Sequence, residues 1–300
     1  SNFVLSAAYF ISVAYYLNLL GAFAVRLTTL DDAYHARLVT SGALLLILIT
    51  GWSYGFRALE RMEQVTVGIK LAIIAGLLSG LAWYFAERAG TGSLVTNPAT
   101  VTGWPAVTLI FGLIVTVQGF ETSRYLSADY DAPLRIRSMR LAQWLSTVIY
   151  LTYIVLLAYV FERGTLEFDE TAIIGMMELV APILPAFLVA AALSAQFSAA
   201  VADTSGSGGL LHELTGGRVS QRSGYAGLVV IGLVLTWTLN VFEIISYASR
   251  AFALYYALQA GIAAASALPR PEYRLRGAGY LLLAALGILI AVVGTPVESR

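Results

Sequence analysis

Nine runs of about 20 predominantly apolar residues, set apart by short polar loops, constrain this chain more than anything else in it. A bilayer core about 30 Å thick takes about 20 helical residues to cross, and every backbone group inside it must be hydrogen-bonded within its own segment. The runs cover roughly 3–25, 38–56, 64–86, 105–127, 140–161, 182–203, 224–240, 242–266 and 277–294. They are apolar on all sides and lack the strict alternation of a membrane β-strand. The expected fold class is therefore all-α integral membrane, with about nine transmembrane helices. Composition agrees: 58% of the 300 residues are hydrophobic and 12% charged, with a mean hydropathy of +0.77, too apolar for a water-soluble domain of this size.

Several functions are excluded early. The net charge is zero and no basic stripe exists, which argues against nucleic acid as a partner. Without cysteine there is no disulfide framework and no thiolate chemistry. His35 and His212 fall in polar stretches far apart, so no metal and no cofactor are expected. No run pairs a nucleophile with a base, and the chain is expected not to be an enzyme. It opens on "SNFVLSAAYF", with no basic n-region and no cleavage site, which reads as a fragment of a longer protein forming one transmembrane unit over 1–300. If the first run enters from the cytoplasm, eleven arginines fall in inside loops, clustered at Arg135, Arg137, Arg140 and at Arg270, Arg274, Arg276. Five fall outside, which favours that orientation and a multi-pass protein of the cell membrane. The acidic stretch 162–181 then lies outside and is expected to carry a short surface helix.

The fourth run breaks its own pattern. In "TVQGFETSRYLSADYDAPLRI" the residues Gln118, Gly119 and Glu121 stand where a lipid-buried helix would carry Leu or Val. Either the span ends here and 121–140 is a loop, or the run is two half-helices. The apolar part, Pro105 to Val117, is short for a full crossing. A broken helix leaves peptide groups unpaired at membrane depth, tolerable only where they line a polar cavity or hold a solute. Elsewhere, Lys70 in "GIKLAI" sits one to two turns inside an apolar helix, where a cation costs about 2.5–3.5 kcal/mol unless it snorkels or finds a cavity.

These residues resemble the amino acid–polyamine–organocation (APC) transporters. Gly119, Phe120 and Glu121 match the Gly-Phe-Glu of that superfamily's sixth helix, as do Pro133, Arg135 and Ile136 downstream. The resemblance implies that Thr116, Gln118 and Gly119 border a small-molecule solute, with Phe120 and Glu121 behind them. Val115 and Val117 depart from the aromatics that many members carry there. It also makes Lys70 similar to the fifth-helix lysine of proton-coupled members, standing where sodium-coupled relatives bind their ion. The run at 182–203 resembles the eighth helix, where sodium symporters present two adjacent hydroxyls; here Ser194 is followed by Ala195, with Ser198 one turn on. Lys70, Glu121, Ser194 and Ser198 are thus the candidates for proton or ion coupling, and proton coupling or exchange is favoured over sodium symport. Tyr16 and Asn18 in the first run are candidates for the pocket wall. Arg250 should face the interior, with Glu243 or Glu121 as partner.

Aligned on the broken run, the nine spans correspond to helices three to eleven of the leucine-transporter fold, an inverted repeat lacking its first two helices. The implied activity is that of a permease for amino acids or related amines, working by alternating access. A sodium–solute symporter, or a non-transporting membrane sensor or accessory protein, remains the alternative. The glycine-rich "DTSGSGGLLHELTGG" lacks the Lys-Ser/Thr of a phosphate loop and reads as a helix end and linker.

Overall fold

The computed structural model describes residues 1–53, 56–117, 119, 121, 130–164 and 170–296, and the side chains of all of these except 56–67 and 69. Ten α-helices follow one another among the described residues: α1 (Asn2–Val25), α2 (Ala33–Ser53), α3 (Phe56–Gly90), α4 (Gly103–Gly112), α5 (Ala132–Val160), α6 (Ala172–Val180), α7 (Leu184–Leu214), α8 (Gln221–Thr238), α9 (Val241–Ala267) and α10 (Arg274–Val293). No strand occurs among the described residues.

Six segments among the described residues are long and apolar enough to cross a membrane: α1, α2, α3 from Lys70, α5, α7, and α10 with the turn before it. The nine runs expected from the sequence include α8 and α9, which are full-length helices in the bundle but more polar. Gln221 and Arg222 open α8, while α9 carries Glu243, Arg250 and several tyrosines. The ninth is the interrupted run, where α4 is only 10 residues long.

α1 is the hub. Of its apolar window 61% is buried, against 0% for α5, whose Leu141 and Trp144 point outward. A face that apolar is stable only against lipid. One half of α1 (Leu5, Ala8, Tyr9) packs on α9 through Ile244, Ala248 and Phe252. The other half (Val13, Leu17, Leu20) packs on α2, α7 and α8 through Leu44, Ala200, Val201, Leu228 and Val229. Buried Thr40 ties α2 to α1 by donating to the Leu17 carbonyl (2.9 Å). The expected surface helix in 162–181 is α6, whose Met177 packs with Leu81 of α3, Val160 of α5 and Leu184 of α7.

Two boundaries differ from the sequence reading. α7 runs on to Leu214, so the glycine-rich stretch is not a linker but three further helical turns, much of it buried. Its polar residues stay helical because their hydroxyls bond inside the helix: Thr204 Oγ1 donates to Ala200 O (2.7 Å) and Ser207 Oγ to Thr204 O (2.9 Å). α5 begins at Ala132, eight residues before the expected start. Asp131 caps it by accepting from the Leu134 N–H (3.0 Å), with Pro133 in the first turn.

Candidate functional site

The site is built on the failure of α4 to continue. Its 10 residues span about 15 Å, half a bilayer core. At Leu113 the backbone tightens, its N–H bonding Ile110 O (3.1 Å), and a 3₁₀ turn follows over Ile114–Val117. Thr116 N–H bonds Leu113 O (3.0 Å), and Thr116 Oγ1 donates to the same carbonyl (2.8 Å). Peptide groups that helical bonding would have satisfied are taken by neighbours. Val115 N–H donates to Ser249 Oγ of α9 (3.0 Å), and Tyr150 Oη of α5 donates to Thr116 O (3.2 Å). Gly119 then takes a φ of +130°, a conformation that residues with a Cβ rarely adopt.

A close approach coincides with the place where the helix stops. Gly112 lies against the chain that leaves α10: a Cβ there would sit on the Thr295 carbonyl. That chain is itself tied to α4, with Thr295 N–H donating to Thr108 O (3.0 Å).

Glu121 follows the break and is 8% exposed. Tyr256 Oη of α9 donates to its Oε2 (2.7 Å), whereas Oε1 has no hydrogen-bond partner among the described residues. A buried carboxylate oxygen left without a donor costs on the order of 1–3 kcal/mol, and such groups concentrate at functional positions. Tyr16 of α1 lies within electrostatic reach of Glu121, of Tyr150 and of Asp203 on α7, its ring tilted against Tyr15 at 4.8 Å. Thr116, Gly119, Glu121 and Tyr16 thus border one locality at the break.

The other sequence candidates lie elsewhere. Asn18 turns to α8, donating to Thr236 Oγ1 (2.9 Å) and to Ala14 O (2.8 Å), and so holds two helices together. Half-buried Lys70 is on α3; Ser194 and the buried Ser198 are on α7, which packs directly against α3. Gln118 and Phe120 lie outside the described residues. Neither expected carboxylate pairs with Arg250. Glu243 is engaged in a capping box with Asn240, Glu121 receives Tyr256, and Arg250 Nε donates to Ala291 O (2.7 Å) in the last turn of α10. A helix end leaves four carbonyls without intrahelical donors, and the guanidinium meets one of them.

Sequence reasoning misses Ser249, Tyr150, Tyr256 and Asp203. The first three are hydroxyls in unremarkable contexts, brought to the break by tertiary packing alone. Asp203 does leave a signal, a carboxylate within an Ala/Ser run, but in sequence it reads as the end of a span. It is 6% exposed and accepts a hydrogen bond from the Ser12 hydroxyl of α1.

An all-helical bundle of apolar, membrane-length segments with one helix interrupted after 10 residues, its peptide groups at the break bonded to hydroxyls beside a buried carboxylate, is the architecture of a solute transporter. Over residues 1–294 the chain matches the family model described as APC superfamily transporter. A relative in Aquifex aeolicus (strain VF5), named only as an uncharacterized protein, is 40% identical over 299 residues, which is 99% of this chain and 72% of that one. The chain belongs to the APC superfamily of transporters, and the expected recognition and helical membrane fold both hold.

Proposed function

We propose that the protein is a secondary active permease for amino acids or related amines, proton-linked or exchanging, working by alternating access in the cell membrane. In this reading the solute is held by the backbone around Gly119 together with Thr116, Gln118, Phe120 and Tyr16, while Lys70 and Glu121 respond to protons. The observation that carries it is the stretch from Gly112 to Gly119, where α-helical bonding ends after 10 residues and the peptide groups of the break bond hydroxyls of α5 and α9, contacts that a zwitterion could replace.

The case for a proton over sodium rests on Lys70 and on Ala195, which leaves one hydroxyl short of a cation pair. Packing supports bringing them together. Gly80 of α3 lies against Leu184 of α7. If the two helices run antiparallel, ten residues back along α3 and ten on along α7 cover the same rise of about 15 Å and set Lys70 level with Ser194. Each ligand must bind the inward and outward states differently to drive turnover.

The test is uptake of radiolabelled amino acids and amines into proteoliposomes holding the complete gene product. An acid-outside gradient is expected to drive accumulation, and Lys70→Ala to abolish that while leaving insertion intact. Uptake that follows sodium when choline replaces it, and ignores pH, rejects the reading in favour of a sodium–solute symporter. Absence of any uptake, with no thermal stabilisation by any solute, points to a sensor or accessory protein.

A further inference from the structure

We propose that Asp203 and Ser12 form a reversible protonation site in the α1–α7 interface, and that this proton moves with the solute; only the link to uptake rests on the transporter reading. Ser12 Oγ stands within hydrogen-bond range of two acceptors, Asp203 Oδ2 and the Tyr9 carbonyl oxygen at 3.1 Å. A hydroxyl has one proton to give and lone pairs to receive. With Asp203 ionised, Ser12 donates to the carboxylate. With Asp203 protonated, the acid donates to Ser12 Oγ and the hydroxyl proton turns to the Tyr9 carbonyl. Both states are hydrogen-bonded through the same hydroxyl with no heavy atom moved. That arrangement matters because Ser12 is fully buried and Asp203 nearly so, where bulk water cannot make up a lost bond.

A second observation connects the pair to the break. Glu121 is more than nine-tenths buried, its Oε1 has no partner among the described residues, and the Tyr16 phenol lies within electrostatic reach of both carboxylates. The pair therefore stands where the state of the solute site and the state of the proton site can be sensed by one side chain. The step balances: a hydronium O–H on one side breaks as an O–H forms on an Asp203 carboxylate oxygen, and that O–H breaks as water on the other side takes the proton; no electrons are transferred between groups. Tyr16 of α1 is within electrostatic reach of Asp203; the other titratable groups described on the elements packed against α7 include Tyr9 of α1, Lys70 of α3, Tyr225 of α8 and Glu178 of α6. Ionisable side chains inside a span mark ion and proton paths more often than they serve stability.

Two measurements test this on the purified protein. Infrared difference spectra across a pH titration should contain the carbonyl stretch of a protonated carboxyl that disappears in Asp203→Asn and persists in Glu121→Gln. In proteoliposomes, Asp203→Asn should keep solute exchange at equal pH and lose accumulation driven by a pH gradient, whereas Ser12→Thr, which keeps the hydroxyl, should retain it. Thermal melting in detergent checks that each variant folds, and Asp203→Ser, which also removes the carboxyl, serves if the Asn variant does not. No titrating band assignable to Asp203, or wild-type accumulation by Asp203→Asn, overturns the proposal. A titrating Asp203 band in a protein that moves no solute would instead leave the site standing and remove the transport reading.

Discussion

Two glycines at the break are required for different reasons, and their replacement separates those reasons. At Gly112 the φ is ordinary and the obstacle is steric: Gly112→Ala pushes a methyl into the Thr295 carbonyl. Overpacking of that kind costs about 1–3 kcal/mol, expected as a lower melting temperature in detergent. At Gly119 nothing among the described residues lies within 4 Å of the place a methyl would occupy, but φ is +130°. Gly119→Ala is therefore expected to change the backbone rather than the packing, with a cost on the order of 1–3 kcal/mol and a larger effect on solute binding than on melting. A third residue offers a clean pH test outside the membrane. Asp32 sits before α2, accepting from the His35 N–H (2.9 Å) and meeting the His35 ring (2.6 Å). These contacts, the backbone one foremost, hold its carboxyl below the usual carboxylate range. A lowered value means a stabilising contribution that is complete above the ordinary carboxylate range and fades as the pH falls through the depressed one. Hydrogen exchange at the first turn of α2 should be faster in Asp32→Ala than in wild type at neutral pH, and the difference should vanish in acid.

Among the elements, the interrupted helix depends on what it meets. Ser249→Ala removes the acceptor of the Val115 N–H in a buried setting, and is expected to cost about 1–3 kcal/mol. Amide exchange at Val115 should rise while exchange in α1 does not. That bond is not legible in the sequence, because one of the three serines of α9 gives no hint of which peptide it will face. What is legible follows the apolar period. The boundaries of α1, α8 and α9 fall within about three residues of the runs 3–25, 224–240 and 242–266. Where structure and sequence reading part, polar residues behave as helix formers. The Asp203 to Gly209 stretch has the composition of a stop signal, yet the Thr204 and Ser207 hydroxyls return their bonds to the helix and let α7 continue. At α5 the opposite holds: Asp131 and Pro133 are a capping pair that the sequence states openly, masked because Arg135, Arg137 and Arg140 look like loop.

At the scale of the whole molecule, burial sorts the helices into a centre around α1 and an apolar exterior. Ile154, 58% exposed on α5, is expected to face lipid. Ile154→Arg should lower the membrane-inserted fraction by about 2.5–3.5 kcal/mol, read by fractionation, whereas the same change on a water-facing surface would not. The absence of cysteine gives a clean background for topology mapping. Thr96→Cys should react with an impermeant maleimide from outside and Glu272→Cys only from the cytoplasmic side, as the arginine distribution requires. The chain leaving α10 has a further consequence. Because Thr295 is bonded to Thr108 and nests on Gly112, while Arg250 grips the end of α10 from α9, any rearrangement of the interrupted helix must drag or shed this tail. A spin label at Pro296 would thus act as a strain gauge on the interrupted helix, reporting any such rearrangement from a point outside the break.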